Sequence, residues 1–330
     1  MLTKNHTKGS VLIIVLWMIM LGLILVTAIA ANVRLTAQTV INQQDGLQRW
    51  NQVLESIDKA YLEILIARLN KTRVKKIAAY KEQDNDNLFD GRALQLLYKT
   101  PQDMTVRIYN LSGKINIARL TEVKLKQLLE QRLGEHDKRL PELIDAWFDW
   151  TDNNDLKRLN GAEKDYYEKQ KTGYLPRNSS FASVDEIRLI KGYEAIFDGL
   201  DLQQVFTLNG YSSGVINPNY ATKEVLLLIP GVNNTIADEI IKARELHAFS
   251  NINEFEILLP VSTIEKTKKW FNLRESNFYT IAVYPTQFES KERGKQSITA
   301  YIEEVQVLNN QSLPVVLRVL PNAEIVIDKK

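Results

Sequence analysis

Apolar and polar positions divide the chain into stretches with different periods. From Val11 to Ala31 no side chain is charged, and the residues are mostly Val, Leu, Ile, Met and Ala with one Trp17. About 20 such residues at 1.5 Å rise cross a bilayer's hydrocarbon core as a helix. Beyond it, Leu47, Trp50, Leu54, Ile57, Tyr61 and Ile64 recur at alternating spacings of three and four, with Gln, Asn, Glu and Lys between. That pattern is the apolar stripe of a helix lying on a sheet. Glu82 to Leu88 reads as a polar loop. Met104 to Tyr109 alternates like a half-buried strand, Leu111 to Lys114 reads as a turn, and Ile115 to Ile117 as its return strand. From Thr121 to about Asn272 the period is helical, with Leu125, Leu128 and Leu129 on one helix and Leu143, Ile144, Trp147 and Phe148 on another. After Phe278 strands resume over Tyr279–Tyr284, Ser297–Gln306 and Val315–Leu320, before a tail from Pro321 to Lys330 that should fray.

Strands on both sides of a helical block imply an insertion, because strands distant in sequence must pair to bury one face. The expected fold is α+β: a long N-terminal helix on a small antiparallel sheet, interrupted by a large all-helical domain. The expected divisions are a leader over 1–9, a membrane helix over 10–32, helix and first strands over 33–120, the helical insert over 121–272, the remaining strands over 273–320, and the tail over 321–330.

The insert contains an internal echo. Ser183 to Gly192 aligns with Thr222 to Gly231: each opens on an N-cap hydroxyl, runs through an apolar turn to Ile, and stops at Gly. The second copy continues through Val232 to Arg244 as a helix–hairpin–helix pattern. Such hairpins can hold DNA phosphates on backbone N–H groups, which makes Pro230, Gly231 and Val232 the candidate contact. Asn233 stands where a second Gly is usual, and Asp238 and Glu239 line the following helix. A hairpin that only packs helices together is the favoured reading.

Charge and composition remove other classes. Among 330 residues, 42 basic and 40 acidic side chains leave a net charge of +2, without the basic excess of a nucleic-acid binder. There is no Cys, so disulfides, thiolate metal sites and a Cys nucleophile are excluded. His6, His136 and His247 are far apart, and no H-E-x-x-H, G-x-S-x-G, Walker A or G-x-G-x-x-G occurs. The chain therefore reads as a non-enzyme, with a secreted hydrolase as a rival that no nucleophile–base pair supports.

Lys4 and Lys8 precede the apolar run, so the positive-inside rule places Met1 in the cytoplasm and the chain after Arg34 outside. A cleaved secretory signal is the alternative, with Ala28, Ala30 and Ala31 near a cleavage position, although such apolar cores span only about 7–15 residues. The boundary Lys8-Gly9-Ser10 resembles the leader of type IV prepilins and pseudopilins. That resemblance implies cleavage by a prepilin peptidase between Gly9 and Ser10, with the helix retained. Most members carry Glu at the fifth mature position, where it neutralises a neighbour's N-terminal amine inside the bilayer. Here that position is Ile14, which suggests a subunit with nothing stacked in front of it.

Four further segments occur in order: the acidic run Asp145 to Asp155, the box Gly161-Ala-Glu-Lys-Asp-Tyr-Tyr167, the stretch Pro176 to Gly192, and Gly214 to Ala221. Together with the Glu-less leader they resemble the K-type minor pseudopilins of type II secretion systems. The resemblance implies a type IV pilin-like fold with a SAM-like helical insert, anchored once in the bacterial inner membrane with its C-terminal domain periplasmic. It implies a place at the pseudopilus tip with the I and J minor pseudopilins, above the major pseudopilin and the inner-membrane secretion platform, where it starts the filament. A competence-type DNA-uptake subunit is the alternative.

The resemblance also implies calcium, which takes six to eight hard oxygen ligands. An EF-hand does not fit: with Asp152 at position one, Asn154 falls at three and Glu163 at twelve, but Leu156 falls at five and Lys157 where Gly belongs. The candidate set is a looser one, Asp149, Asp152, Asn154, Glu163 and Asp165, against a solvated acidic loop whose Asp residues cap helices.

Overall fold

The apolar run and the stripe beyond it form one helix, α1 (Ser10–Lys76), in a computed structural model that describes residues 10–76, 89–94, 96–101, 103–170, 173–210, 214–259, 261, 264–289, 294–308 and 312–329. The leader with Gly9 and the polar segment Glu82–Leu88 lie outside the described residues. The chain divides into two units, one ending at Leu54 and one beginning at Glu55. In the first, α1 is long and apolar enough to cross a membrane. Thr27 returns its hydroxyl to the Leu23 carbonyl at 2.9 Å, so this polar group in the apolar run is satisfied within the helix.

The second unit holds a five-stranded antiparallel sheet: β1 (Asp90–Ala93), β2 (Met104–Asn110), β5 (Phe278–Pro285), β6 (Gly294–Gln306) and β7 (Val315–Lys329), in the order β1-β2-β5-β6-β7. The last part of α1 buries Ile57, Ala60, Ile64 and Ala67, one face at spacings of three and four. Polar groups bind this part of the helix to the strands. Tyr61 and Tyr301 both donate to the buried Glu303 carboxylate on β6, and Arg68 reaches Asn277 at 3.0 Å and the Tyr279 hydroxyl at 3.3 Å.

Between β2 and β5 in sequence lies the helical block: α2 (Glu122–Leu133), α3 (Leu140–Thr151), α4 (Lys164–Gln170), a 3-10 helix over Val184–Leu189, α5 (Leu202–Val205), α6 (Lys223–Leu227), α7 (Asn234–Leu246), α8 (Ile252–Glu256) and α9 (Ile264–Thr267). Leu125, Leu128 and Leu129 of α2 and Leu143, Ile144 and Trp147 of α3 all enter one core, as their spacing predicts. Ser183 and Thr222 cap the two echoed segments, Ser183 in a full capping box with Glu186, and Gly192 and Gly231 both close theirs at φ +82°. The first copy winds as 3-10 and the second as α.

Two expected elements differ. Ile115–Asn116, here β3, does not return along β2 as a hairpin; it pairs in parallel with β4 (Phe206–Thr207). Both edges of β2 are already taken, by β1 and β5, and Ile115 and Ile117 are apolar enough to serve the helical core instead. The preceding Lys114 marks the junction: buried, it donates to the Gln203 carbonyl at 2.8 Å, and desolvation lowers its pKa. The tail does not fray over its described residues: β7 runs on through Pro321 to Lys329. Pro321 falls at a register shift of an edge strand, where a missing N–H costs no ladder bond, and Ile325 and Ile327 pack with Ile298 beyond it. β1 was not foreseen. Its Gly91 (φ +89°) lies against the Tyr109 ring, where a Cβ would approach Cε1 to 2.0 Å.

Candidate functional site

The acidic centre begins on α3, whose inward face carries Leu143, Trp147 and Trp150, and Asp149 is buried beside them with no exposed surface. Asp152 ends the helix, and a loop folds back through a series of side-chain-to-backbone hydrogen bonds. Asn154 donates its backbone N–H and its side-chain amide to Asp152 at 3.0 and 2.9 Å, and its Oδ1 accepts from the Leu156 N–H at 2.8 Å. The Arg158 N–H sits 3.2 Å from both Asp149 oxygens, and Asn160 bonds Asp145 twice at 3.0 Å. Asx-type turns of this kind are what Asp and Asn favour in loops.

The loop delivers Gly161 against Asp149, so closely that a Cβ would fall 1.9 Å from the carboxylate. Two residues on, Glu163 is buried, and among the described residues neither of its oxygens has a hydrogen-bond partner. Asp149, Asp152 and Glu163 each offer a carboxylate oxygen, all within 4.8 Å of one another. Burial, then the like charges of Asp149, Asp152 and Asp155, push the Glu163 carboxyl up to about 7. Burial likewise raises Asp149, against the opposing Arg158 N–H.

An unpartnered buried carboxylate facing two others is costly unless protonated or neutralised by a cation. The donors are all hard oxygens, so the site suits Ca²⁺ in kind, and three carboxylates supply part of the six to eight ligands it takes. Of the five residues expected there, the structure brings three together. The Asn154 amide is committed to Asp152 and Leu156, and Asp165 is exposed in the first turn of α4, outside the cluster. Sequence reasoning missed the loop's supports, Asp145 and Gly161, and a latch in which Asn178, at φ +48°, donates to Asp155 at 2.6 Å. The Gly of the Gly-Ala-Glu box was the available signal, since a close approach is what that residue permits.

The hairpin has turned its polar groups inward. The Gly231 N–H, the group that would meet a phosphate, donates to Gln131 Oε1 of α2 at 3.3 Å, and Gln131 Nε2 donates to the Val232 and Leu227 carbonyls at 3.0 and 3.3 Å. The Pro230 carbonyl accepts from Thr267 at 2.7 Å, and Asn233 caps α7 through the Ile236 N–H at 3.0 Å. Lys223, a cation beside this motif, is paired to Asp238 at 2.7 Å. Ser10 is the first residue of α1, and Ile14 is exposed on it.

Residues 108–197, which contain the acidic centre, match the family model described as Type II secretion system (T2SS), protein K. The type II secretion system protein K of Klebsiella pneumoniae is 27% identical over 46% of this chain and 48% of its own length. That of Dickeya chrysanthemi is 27% identical over 37% of this chain and 35% of its own length, so the chain spans about half or less of these two relatives. The protein K of Pseudomonas aeruginosa is 25% identical over 76% of this chain and 77% of its own length. In fold, the chain resembles one from a crystal structure of the GspK-GspI-GspJ complex of enterotoxigenic Escherichia coli, with a TM-score of 0.52 and 13% identity, covering 85% of this chain and 99% of that one.

Proposed function

We infer that this chain is a K-type minor pseudopilin of a type II secretion system, an assembly subunit that works by packing against other proteins. The observation that carries the inference is the match of residues 108–197 to the protein K family, on a long helix and antiparallel sheet like those of the solved complex. The single apolar N-terminal helix suits a one-pass membrane anchor. Processing between Gly9 and Ser10 would leave that helix as the mature N-terminus, with the rest periplasmic.

The proposed place is the pseudopilus tip, beside the I and J subunits. Two features support it. The helical block between β3 and β5 adds more than the pilin-like sheet itself, and in a fibre built by stacking such subunits it would obstruct a copy above. Ile14 offers no counter-charge to a subunit placed in front. At the tip neither feature is a handicap, and the subunit would begin the filament by packing its helix against its neighbours'. The exposed Leu47, Trp50 and Leu54 of α1 suit that contact. The insert is proposed to be SAM-like in kind, with its hairpin serving packing: the Gly231 N–H is already bonded, which counts against the DNA-uptake reading.

Calcium, if bound, would be held by Asp149, Asp152 and Glu163, and would supply the positive charge that lets all three ionise together. Asp149 and Asp145, through Arg158 and Asn160, hold the loop in place for it.

Co-expression with the I and J proteins, followed by purification and mass spectrometry of the mature N-terminus, tests the proposal. A ternary complex whose K chain starts at Ser10 supports it. A chain cut after Ala31, or one that leaves I and J behind, defeats it.

A further inference from the structure

A cleft of about 560 Å³ opens between the helical block and the sheet, and neither the three clustered carboxylates nor Pro230, Gly231 and Val232 line it. Glu304 of β6 and Leu317 and Arg318 of β7 line one side, and Arg119, Phe181 and Leu208 the other. Among the described residues neither the Arg119 nor the Arg318 guanidinium has a hydrogen bond or ion pair. Glu304 stands directly across the strands from Arg318, and the two arginines outnumber this single carboxylate among the residues lining the cleft. Arginine forks in excess over carboxylates are poised for planar anionic groups.

The cleft's edge is shaped against one occupant. Val316 pairs with Val305 and Arg318 with Glu304, leaving Leu317 as the extra residue of a bulge. A bulge on an edge strand blocks the addition of another strand and turns a side chain outward. Recognition here must therefore run through side chains. Apolar surface continues from the cleft along β7, where Val315, Val316 and Val319 are all more than 40% exposed. An acidic residue flanked by apolar ones is the complement of that combination.

We propose that this cleft docks an acidic, partly apolar segment of a neighbouring minor pseudopilin, its carboxylate seated between Arg119 and Arg318. The proposal rests on the pseudopilin reading and assigns the face that meets the partner.

The test uses the full chain in membranes with the I and J proteins, carrying a photo-cross-linking amino acid in place of Leu317, or in place of Trp50 as a control on α1. The expected result is a pseudopilin adduct from both positions, with the Leu317 adduct mapping to a segment that contains Asp or Glu. Combining Arg119→Ala with Arg318→Ala should lower the Leu317 adduct about tenfold, the loss of about one charge-assisted hydrogen bond, and leave the Trp50 adduct unchanged. Glu304→Gln should raise it, because it removes the competing carboxylate. A Leu317 adduct that is missing, that is indifferent to the arginine substitutions, or that captures secreted cargo overturns the proposal while the Trp50 adduct persists. Loss of both adducts in the unsubstituted chain overturns the assembly reading as well.

Discussion

Glu163 is a buried carboxyl facing Asp149 and Asp152, with no hydrogen-bond partner among the described residues. Its pKa, about 7 in the folded chain, stands above the value near 4.3 expected on unfolding. The folded state therefore binds this proton more tightly. The resulting stability is complete below about pH 4 and is lost as pH rises through 7. In chelator, the urea midpoint should fall between pH 5 and pH 7.5; Glu163→Gln should flatten that fall, and saturating calcium should reverse it. A midpoint unchanged by pH, chelator and calcium alike would show that the three carboxylates do not act together. Gly161→Ala is the steric counterpart. A methyl 1.9 Å from the Asp149 carboxylate forces the loop or α3 to move, a loss of about 1–3 kcal/mol by urea unfolding, with calcium uptake lost in equilibrium dialysis. At this scale the acidic run and the Gly-Ala-Glu box were visible in the sequence, but which acids converge was not. Asn154 and Asp165 have the right chemistry, and only the turn geometry decides that one points to Asp152 and the other to solvent.

Elements are held to one another by a few buried polar contacts. Arg244 of α7 is buried, donating to the Pro218 and Ala221 carbonyls at 2.7 and 2.6 Å and to Asp90 of β1 at 3.3 Å, so one guanidinium ties the helical block to the sheet's first strand. Arg244→Ala should cost about 3 kcal/mol, since it strands buried acceptors and leaves Asp90 with Arg92 alone; chemical denaturation measures it, and a cost under about 1 kcal/mol would show the tie to be incidental. Gln131→Ala should cost about 1 kcal/mol and free the Gly231 N–H. If the hairpin is a packing device, that variant gains no affinity for DNA in a salt-dependent gel shift; a gain would revive the nucleic-acid reading. The longer helices α2, α3 and α7 were legible because their apolar faces repeat over more than three turns. The strand Met104–Tyr109 was legible by alternation and Tyr279–Tyr284 as a short run of aromatic and β-branched residues, whereas β1 is four residues of Asp, Gly, Arg and Ala with no pattern to read. β3 misled because local period reports that a segment is extended, while its partner is set by which edges remain open; the end of β7 reads as a loose terminus, whereas pairing with β6 beyond Pro321 orders it.

For the whole molecule, two features support the proposed assembly role: one uninterrupted helix that begins at Ser10, and the helical block threaded between strands of the sheet. On the proposed reading the helix would be the stem that joins this chain to its neighbours, and the block would suit it to an end of the fibre. Both were foreseeable, the helix from an uncharged run too long for a secretory signal and the insertion from strands on either side of helices. The sequence did not reveal that block and sheet share one packed unit, joined through Lys114, Arg244 and the β3–β4 pair. Position along the filament is the most direct measurement. Gold labelling of the C-terminal domain on pseudopili assembled with the I and J subunits should place one label at one end of each fibre. Labels spaced along the shaft would contradict the account.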